Sequence, residues 1–66
     1  MSITLNGSPL DCNPPITVAQ LLDQAGYAGR RVAVEVNREI VPRSLHTTRT
    51  LVDGDQIEIV HAIGGG

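Results

Sequence analysis

The order of elements in the sequence predicts an α+β fold, in which one sheet packs against one main helix. Stretches in which apolar and polar residues alternate, typical of half-buried strands, lie on both sides of a single stretch with helical spacing. With 66 residues, the chain is long enough for one small domain. We place this domain at residues 1–63 and expect residues 64–66 to form a flexible C-terminal glycine tail.

The first twelve residues predict a β-hairpin. Residues 2–6 alternate as a strand does, and the Asn6-Gly7 pair that follows is the strongest short signal for a two-residue hairpin turn. Residues 9–12 then return as a second short strand. It ends at Pro14-Pro15, because proline cannot donate a hydrogen bond to the ladder of a sheet.

Residues 17–26 predict the helix. Thr17 is a good N-cap, and Gln20, three residues later, completes a capping box. Gly26 is well placed to end the helix in the left-handed conformation. The predicted apolar face of this helix comprises Val18, Leu21, Leu22 and Ala25.

Two further short strands are predicted after the helix. Residues 31–37 alternate, with three valines on one face, and Asn37-Arg38 is typical of a turn. Residues 39–41 form the second of these strands, which ends at Pro42.

The last part of the chain predicts an irregular stretch, a turn and a final strand. Residues 43–52 are irregular, and Asp53-Gly54-Asp55 is a turn. We expect Leu45, Leu51 and Val52 of the irregular stretch to pack into the core. The final strand covers residues 56–63. Ile57, Ile59, His61 and Ile63 share one face of the final strand, whereas Glu58, Val60 and Ala62 share the other.

Composition excludes several classes of function. Five basic and seven acidic residues give a net charge of −2, and Tyr27 is the one aromatic residue, so nucleic acid is not an expected partner. No lysine is present, which excludes Schiff-base chemistry and a Walker-type phosphate loop. No apolar run approaches the roughly 20 residues of a membrane span. We therefore expect a cytoplasmic protein that does not bind membranes.

The residue types that usually carry catalysis or bind metals do not form a recognisable site. Cys12 is predicted to be a small buried residue at the end of a strand, since nothing in the spacing places a histidine beside it. His46 is predicted to be solvated in its irregular stretch, and His61 to be a partly exposed strand residue. One cysteine and two histidines do not match a metal-binding spacing, so we expect no metal site.

The C-terminal glycines, Gly64 to Gly66, are the remaining candidate for chemistry. A terminal carboxylate on glycine is unhindered because no Cβ atom crowds it. Three extended residues reach about 10 Å, which suits a narrow enzyme cleft. A carboxylate is a poor acyl donor until it is activated, and the chain has no nucleotide-binding loop of its own. The tail therefore implies an enzyme partner that supplies ATP.

Three stretches and the short length of the chain carry a family resemblance. The stretches are TVAQLL at the start of the helix, VAVEVNREIVPR at 32–43 and DGDQIEIVHAIGGG at 53–66. In these features the chain resembles the ThiS-type sulfur carrier proteins of thiamine biosynthesis, over essentially its whole length. The resemblance implies the ubiquitin-like β-grasp fold, a mixed sheet of four to five strands. The first and last strands would lie side by side and parallel in the middle of that sheet.

The resemblance also implies that the chain is a carrier protein and co-substrate of enzymes, and not an enzyme. A ThiF-type adenylating enzyme would use ATP and Mg²⁺ to convert the Gly66 carboxylate into an acyl adenylate, whereas this chain binds no cofactor itself. Sulfur from a donor such as a cysteine desulfurase persulfide would replace AMP and leave a thiocarboxylate. Thiazole synthase (ThiG) would then take that sulfur, while Gly64 and Gly65 thread the clefts of the partners.

The final strand also indicates a docking surface. If its isoleucines face the helix, Val60 and Ala62 face outward next to the tail, and exposed apolar residues at such a position are typical of a binding surface. We expect partners to dock on Val60, Ala62 and Ile63, with Arg43 adding charge pairing.

Three other functions stay open at this point. The sulfur-carrying small subunit of molybdopterin synthase shares the fold and the glycine terminus, although such chains are usually longer. A ubiquitin-like protein modifier would join target lysines through Gly66, and the absence of lysine forbids only self-chains linked through side chains. The last alternative is a β-grasp interaction module whose tail is inert.

Overall fold

The computed structural model describes residues 1–61 and has the predicted order of elements. Its strands are β1 (Ser2–Leu5), β2 (Ser8–Asp11), β3 (Val32–Val36), β4 (Glu39–Ile40) and β5 (Gln56–His61), and its α-helix is α1 (Val18–Gln24). A short 3₁₀-helix over Arg43–Leu45 interrupts the stretch predicted to be irregular. The predictions for Ala62, Ile63 and the three terminal glycines fall outside the described residues.

The five strands form one mixed sheet in the order β2-β1-β5-β3-β4. β1 and β5 are neighbours and run parallel, with Thr4 opposite Gln56 and Leu5 opposite Ile57. The other three strand pairs are antiparallel. The parallel central pair brings the first and last strands together, as the family resemblance implies. β5 therefore has a hydrogen-bonded neighbour on each side.

Two tight turns connect the antiparallel hairpins. Asn6 and Gly7 both have positive φ, at 50° and 82°, which is the signature of the type I′ turn predicted there. Asn37 and Arg38 also have positive φ, at 52° and 68°, so the turn between β3 and β4 has the same form without a glycine. Both predicted turns are confirmed, although β2 begins and ends one residue earlier than the sequence suggested.

Helix α1 is held at both ends by the interactions that its sequence predicts. At the N-terminus, the Thr17 hydroxyl accepts from the Gln20 backbone, and the Gln20 side chain accepts from the Thr17 backbone at 2.9 Å. At the C-terminus, Gly26 has φ +87°, and the Tyr27 N–H donates to the Leu22 carbonyl at 2.8 Å. With the Gly26 N–H donating to Asp23, this is a Schellman motif.

The hydrophobic core lies between α1 and one face of the sheet and is almost wholly aliphatic. Within residues 1–61 its hydrophobic members are Ile3, Cys12, Ile16, Val18, Leu21, Leu22, Val34, Val36, Val41, Leu51, Ile57 and Ile59. Cys12 is therefore a small buried residue, as predicted. Ala25 was predicted to complete the apolar face of α1, but it is exposed because the helix ends at Gln24 and the chain turns away.

The segment between β4 and β5 fills the core differently from the prediction. Leu51 is buried as expected, but Leu45 and Val52 are both exposed. Val41 and His46 are buried instead, because the 3₁₀-helix between them turns its own residues outward. An irregular stretch has no fixed period, so its sequence does not show which residues point inward.

The turn before β5 contains a buried carboxylate. Asp55 is 4% exposed, and its two oxygens accept from the Asn37 side-chain amide at 2.9 Å and from the Val52 N–H at 2.8 Å. The Asn37 carbonyl oxygen in turn accepts from the Gln56 N–H. This network ties the β3–β4 turn to the start of β5, and the buried carboxylate has a partner on each oxygen.

Replacement of Asp55 by alanine is expected to lower the free energy of unfolding by about 2 kcal/mol, because the Asn37 side-chain amide and the Val52 N–H both lose their acceptor. The matched control is Asp53→Ala. Asp53 accepts one exposed hydrogen bond, from the Ser2 N–H, so its loss should cost about 1 kcal/mol or less. Urea unfolding followed by circular dichroism measures both values, and equal destabilisation by the two variants would contradict the structural role of Asp55.

Candidate functional site

The C-terminal segment follows β5, the central strand of the sheet. The described part of β5 ends at His61, which lies opposite Val32 at the start of β3. Chain beyond His61 therefore begins at the middle of one end of the sheet and not at an edge. Gly64, Gly65 and Gly66, which are the predicted sites of threading and activation, lie outside the described residues, as do Ala62 and Ile63.

The face of the sheet that points away from α1 carries exposed apolar residues, one of which directly precedes His61. Val60 is 57% exposed and lies opposite Ala33, on the face of β5 opposite the buried Ile57 and Ile59, so its predicted orientation is confirmed. Ile40 is 71% exposed on the same face. We call this the outer face.

Charge on the outer face is negative. Glu35 and Glu58 lie directly opposite each other in the β3–β5 ladder, and Ile40 lies opposite Glu35 on the other side. Like charges in opposed positions of a sheet destabilise it slightly. A cationic group of a bound partner would relieve this repulsion.

Arg43 does not lie on the outer face. It is the first residue of the 3₁₀-helix and lines a cleft on the helix side of the sheet, together with Ala19 and Leu22 of α1. This cleft has a volume of about 470 Å³, and we call it the arginine cleft. Its lining residues are Ala19, Leu22, Tyr27, Ala28, Gly29, Arg30, Arg31, Val32, Arg43 and His46. The structure thus separates Arg43 from Val60, which the sequence had grouped as one docking surface.

The arginine cleft adjoins the point where the described chain ends. The ring centroid of Tyr27, in the wall of the cleft, lies 5.9 Å from that of His61, with the ring planes inclined by 49°. His61 is exposed, as predicted, on the face of β5 that points toward α1. Two surfaces therefore flank the base of the C-terminal segment, the outer face on one side of the sheet and the arginine cleft on the other.

The two histidines have different environments. His46 was predicted to be solvated, and this is wrong: it is 9% exposed, and its Nε2 lies 3.0 Å from the Val41 carbonyl oxygen. Its own carbonyl accepts from the Ala19 N–H, so His46 joins the 3₁₀ segment to α1. These contacts give His46 a structural role.

Within residues 1–61 there is no group of three His, Cys, Asp or Glu side chains arranged to hold a metal ion.

Sequence reasoning missed Tyr27, Arg30 and Arg31 as residues of a common surface. Their signal was the adjacent pair Arg30-Arg31 in a short segment with two glycines. The pair could be interpreted as part of a site only once the structure showed that Arg43, from a distant part of the chain, lines the same cleft.

No helix in the described part of the chain has the length and apolar character needed to cross a membrane.

Comparison with known proteins gives consistent matches over the full length. The sequence profile of the ThiS family matches residues 3–66. The sulfur carrier protein ThiS of Escherichia coli is 35% identical over 66 residues, which cover all of both chains. The crystal structure of the thiamine biosynthesis protein ThiS from Geobacter metallireducens superposes with a TM-score of 0.86 at 33% identity, again over the whole of both chains.

A second kind of relative is much longer. The thiazole synthase of Paramagnetospirillum magneticum is 44% identical over all 66 residues, but the match spans only 20% of that protein. The thiazole synthase of Magnetococcus marinus shows the same proportions. In both, a segment similar to this chain is therefore part of a larger polypeptide. The profile match, the similarity to ThiS proteins and the close superposition on a ThiS structure lead to one conclusion: the chain belongs to the ThiS family and has its ubiquitin-like β-grasp fold.

Proposed function

We propose that this protein is a sulfur carrier of thiamine biosynthesis, which carries sulfur as a thiocarboxylate on Gly66. The observation that carries the proposal is the extent of the family match, which runs through the three terminal glycines to residue 66. Whole-length similarity to the ThiS protein of Escherichia coli supports it. The domain then acts as a carrier and co-substrate, and partner enzymes supply the catalytic groups.

Activation of the Gly66 carboxylate requires ATP and Mg²⁺, which an adenylating enzyme of the ThiF type provides. A carboxylate oxygen attacks the α-phosphorus of ATP, pyrophosphate leaves, and an acyl adenylate forms. The terminal sulfur of a persulfide on the sulfur donor then attacks the acyl carbon, and AMP leaves. A second thiol attacks the resulting acyl disulfide at the donor's sulfur, forms a disulfide with the donor, and releases the thiocarboxylate.

The receiving partner in this proposal is thiazole synthase. Support comes from the two relatives in which a segment similar to this chain is part of a thiazole synthase polypeptide. Gly64 and Gly65 provide the narrow, unbranched reach into partner clefts, because neither has a side chain.

Docking on the outer face is part of the same proposal. Val60 and Ile40 expose apolar surface beside an acidic pair, an arrangement that suits a partner patch with an apolar centre and a cationic rim. Ala62 and Ile63, which follow His61 in the sequence, are proposed to contact the same partner. A partner bound there would hold the base of the tail while its cleft takes up Gly66.

The proposal is tested by intact-mass measurement. The protein is incubated with ATP, Mg²⁺, the adenylating enzyme encoded in the same genome and a cysteine desulfurase with cysteine. We expect a mass increase equal to the replacement of one oxygen by sulfur. An unchanged mass, with the same enzymes shown to load another carrier protein, would overturn the proposal.

A genetic test separates the thiamine route from the molybdopterin alternative. Deletion of the gene should cause a growth requirement that thiamine or its thiazole precursor relieves. Loss of molybdoenzyme activity without a thiamine requirement would instead support the molybdopterin synthase subunit. Recovery of the protein as a conjugate on lysines of other proteins would support the modifier.

A further inference from the structure

Three of the five arginines of this acidic protein line one cleft. Arg30, Arg31 and Arg43 converge there, although the chain as a whole carries a net charge of −2. No acidic side chain is among the described residues that line the cleft. Their positive charge is therefore not neutralised by the walls of the cleft itself.

Regular backbone structure positions two of these arginines. The Arg30 N–H donates to the Tyr27 carbonyl at 3.0 Å, and Gly29 has φ +76°, which together give a type II turn with glycine at its third position. On the other wall, Arg43 begins a 3₁₀-helix directly after Pro42. Arginines that project from tight turns lose less conformational freedom on binding than those on a mobile loop.

The lining of the cleft includes apolar side chains. Those of Ala19 and Leu22 of α1 and Val32 of β3, which we call the floor, line it together with the ring of Tyr27. An aliphatic or aromatic side chain of a ligand can therefore be buried while neighbouring carboxylates reach the arginines. Guanidinium groups bind carboxylates in a bidentate geometry, which favours a specific acidic segment over a diffuse ionic atmosphere.

The cleft also lies close to the end of the described chain, from which the C-terminal segment continues. Its wall residue Tyr27 contacts His61, the last described residue before the C-terminal segment. A protein that takes up the tail therefore lies close to the cleft as well as to the outer face.

We propose that the arginine cleft docks an acidic segment of thiazole synthase, with carboxylates paired to Arg30, Arg31 and Arg43 and an apolar side chain on the cleft floor. This inference rests on the proposed carrier function, since it concerns the protein that takes up the tail. In the longer relatives, the segment similar to this chain is covalently part of a thiazole synthase polypeptide, so the two remain close together. Where the two proteins are separate chains, docking at the arginine cleft would bring them together instead.

The test is the affinity of the full chain for thiazole synthase from the same organism, measured by calorimetry over a series of NaCl concentrations. The cleft variant carries Arg30→Gln and Arg43→Gln, one from each wall. The matched control carries Arg38→Gln and Arg49→Gln, which remove the same charge. Arg38 lies in the turn at the opposite end of β3 from the cleft, and Arg49 is outside the cleft lining.

We expect the cleft variant to bind about tenfold more weakly or worse, and to show a shallower salt dependence, because two charge pairs are lost. The control should bind within about twofold of wild type, since its arginines do not contact the docked segment. Equal loss in both variants would reveal diffuse electrostatic attraction, and no loss in either would show that the cleft is not used. Both results would overturn the inference.

Two further arms distinguish the alternatives. Inorganic phosphate should displace thiazole synthase more strongly than chloride of equal ionic strength, because phosphate competes with carboxylates for guanidinium groups, and equal displacement by the two anions would overturn the acidic-segment assignment. Sulfur loading of the same preparations is followed by intact mass. If wild type loads sulfur normally but the arginine substitutions do not change the affinity for thiazole synthase, only the docking inference is overturned. If wild type fails to load sulfur, the carrier function is overturned.

Discussion

Addition of one alanine after Gly66 is expected to abolish sulfur loading. The added residue displaces the terminal carboxylate by about 3.5 Å and replaces an unhindered glycine terminus by one with a Cβ atom. Misplacement of a reacting group by about 1 Å can cost roughly 100-fold in rate, so a loss of at least about 100-fold is expected. Intact mass after timed incubation with the adenylating enzyme and sulfur donor measures it.

The matched control is a chain with one additional glycine at its end. It has the same length as the alanine variant but keeps a glycine carboxylate, so it separates the chemistry of the terminus from the reach of the tail. Because its carboxylate is displaced by the same distance, we expect it to load more slowly than wild type, but faster than the alanine variant, since its terminus carries no Cβ atom. Loading of the alanine variant at the wild-type rate would refute the assignment of chemistry to a glycine terminus.

Replacement of Ile57 by alanine is expected to cause the largest loss of stability among single substitutions in the sheet. Ile57 is fully buried on the central strand, opposite Leu5 of β1 and Val36 of β3. Truncation of a buried isoleucine costs about 2–5 kcal/mol. A domain of this size has a total stability of about 3–10 kcal/mol, so the variant should approach or pass the limit of folding at 25 °C.

Val60→Ala on the same strand is the control, because Val60 projects from the exposed outer face. Its free energy of unfolding should change by about 0.5 kcal/mol or less. If Ile57→Ala does not fold, Ile57→Val keeps the test quantitative, with an expected loss of about 1 kcal/mol. Urea unfolding provides all three values. Equal losses at positions 57 and 60 would show that the two faces of β5 are wrongly assigned.

Local sequence signals predicted the elements of this fold well. Asn6-Gly7 identified the first hairpin, Thr17 with Gln20 identified the start of the helix, and Gly26 identified its end. Each of these signals depends on backbone conformation or on hydrogen bonds between near neighbours, so it is complete within a few residues of sequence. The parallel pairing of β1 with β5 joins distant segments and came from family resemblance.

Errors occurred where side-chain burial depends on contacts between distant segments. His46 is polar and lies in a stretch without periodicity, but the fold encloses it between the 3₁₀-helix and α1. Leu45 is apolar yet exposed, because the 3₁₀-helix directs it outward. The arginine cleft was unpredictable for the same reason, since Arg43 and Arg30 approach each other only in the folded chain.

The central position of β5 has a mechanical consequence. A force applied along the C-terminal segment acts on a strand bonded to β3 over five residue pairs and to β1 by a parallel ladder. Such a pull loads these hydrogen bonds in shear, so many must break together, whereas a strand at the sheet edge could be peeled away one bond at a time. If a partner enzyme pulls on the tail in its cleft, as proposed, we expect the domain to stay folded and to resist the pull.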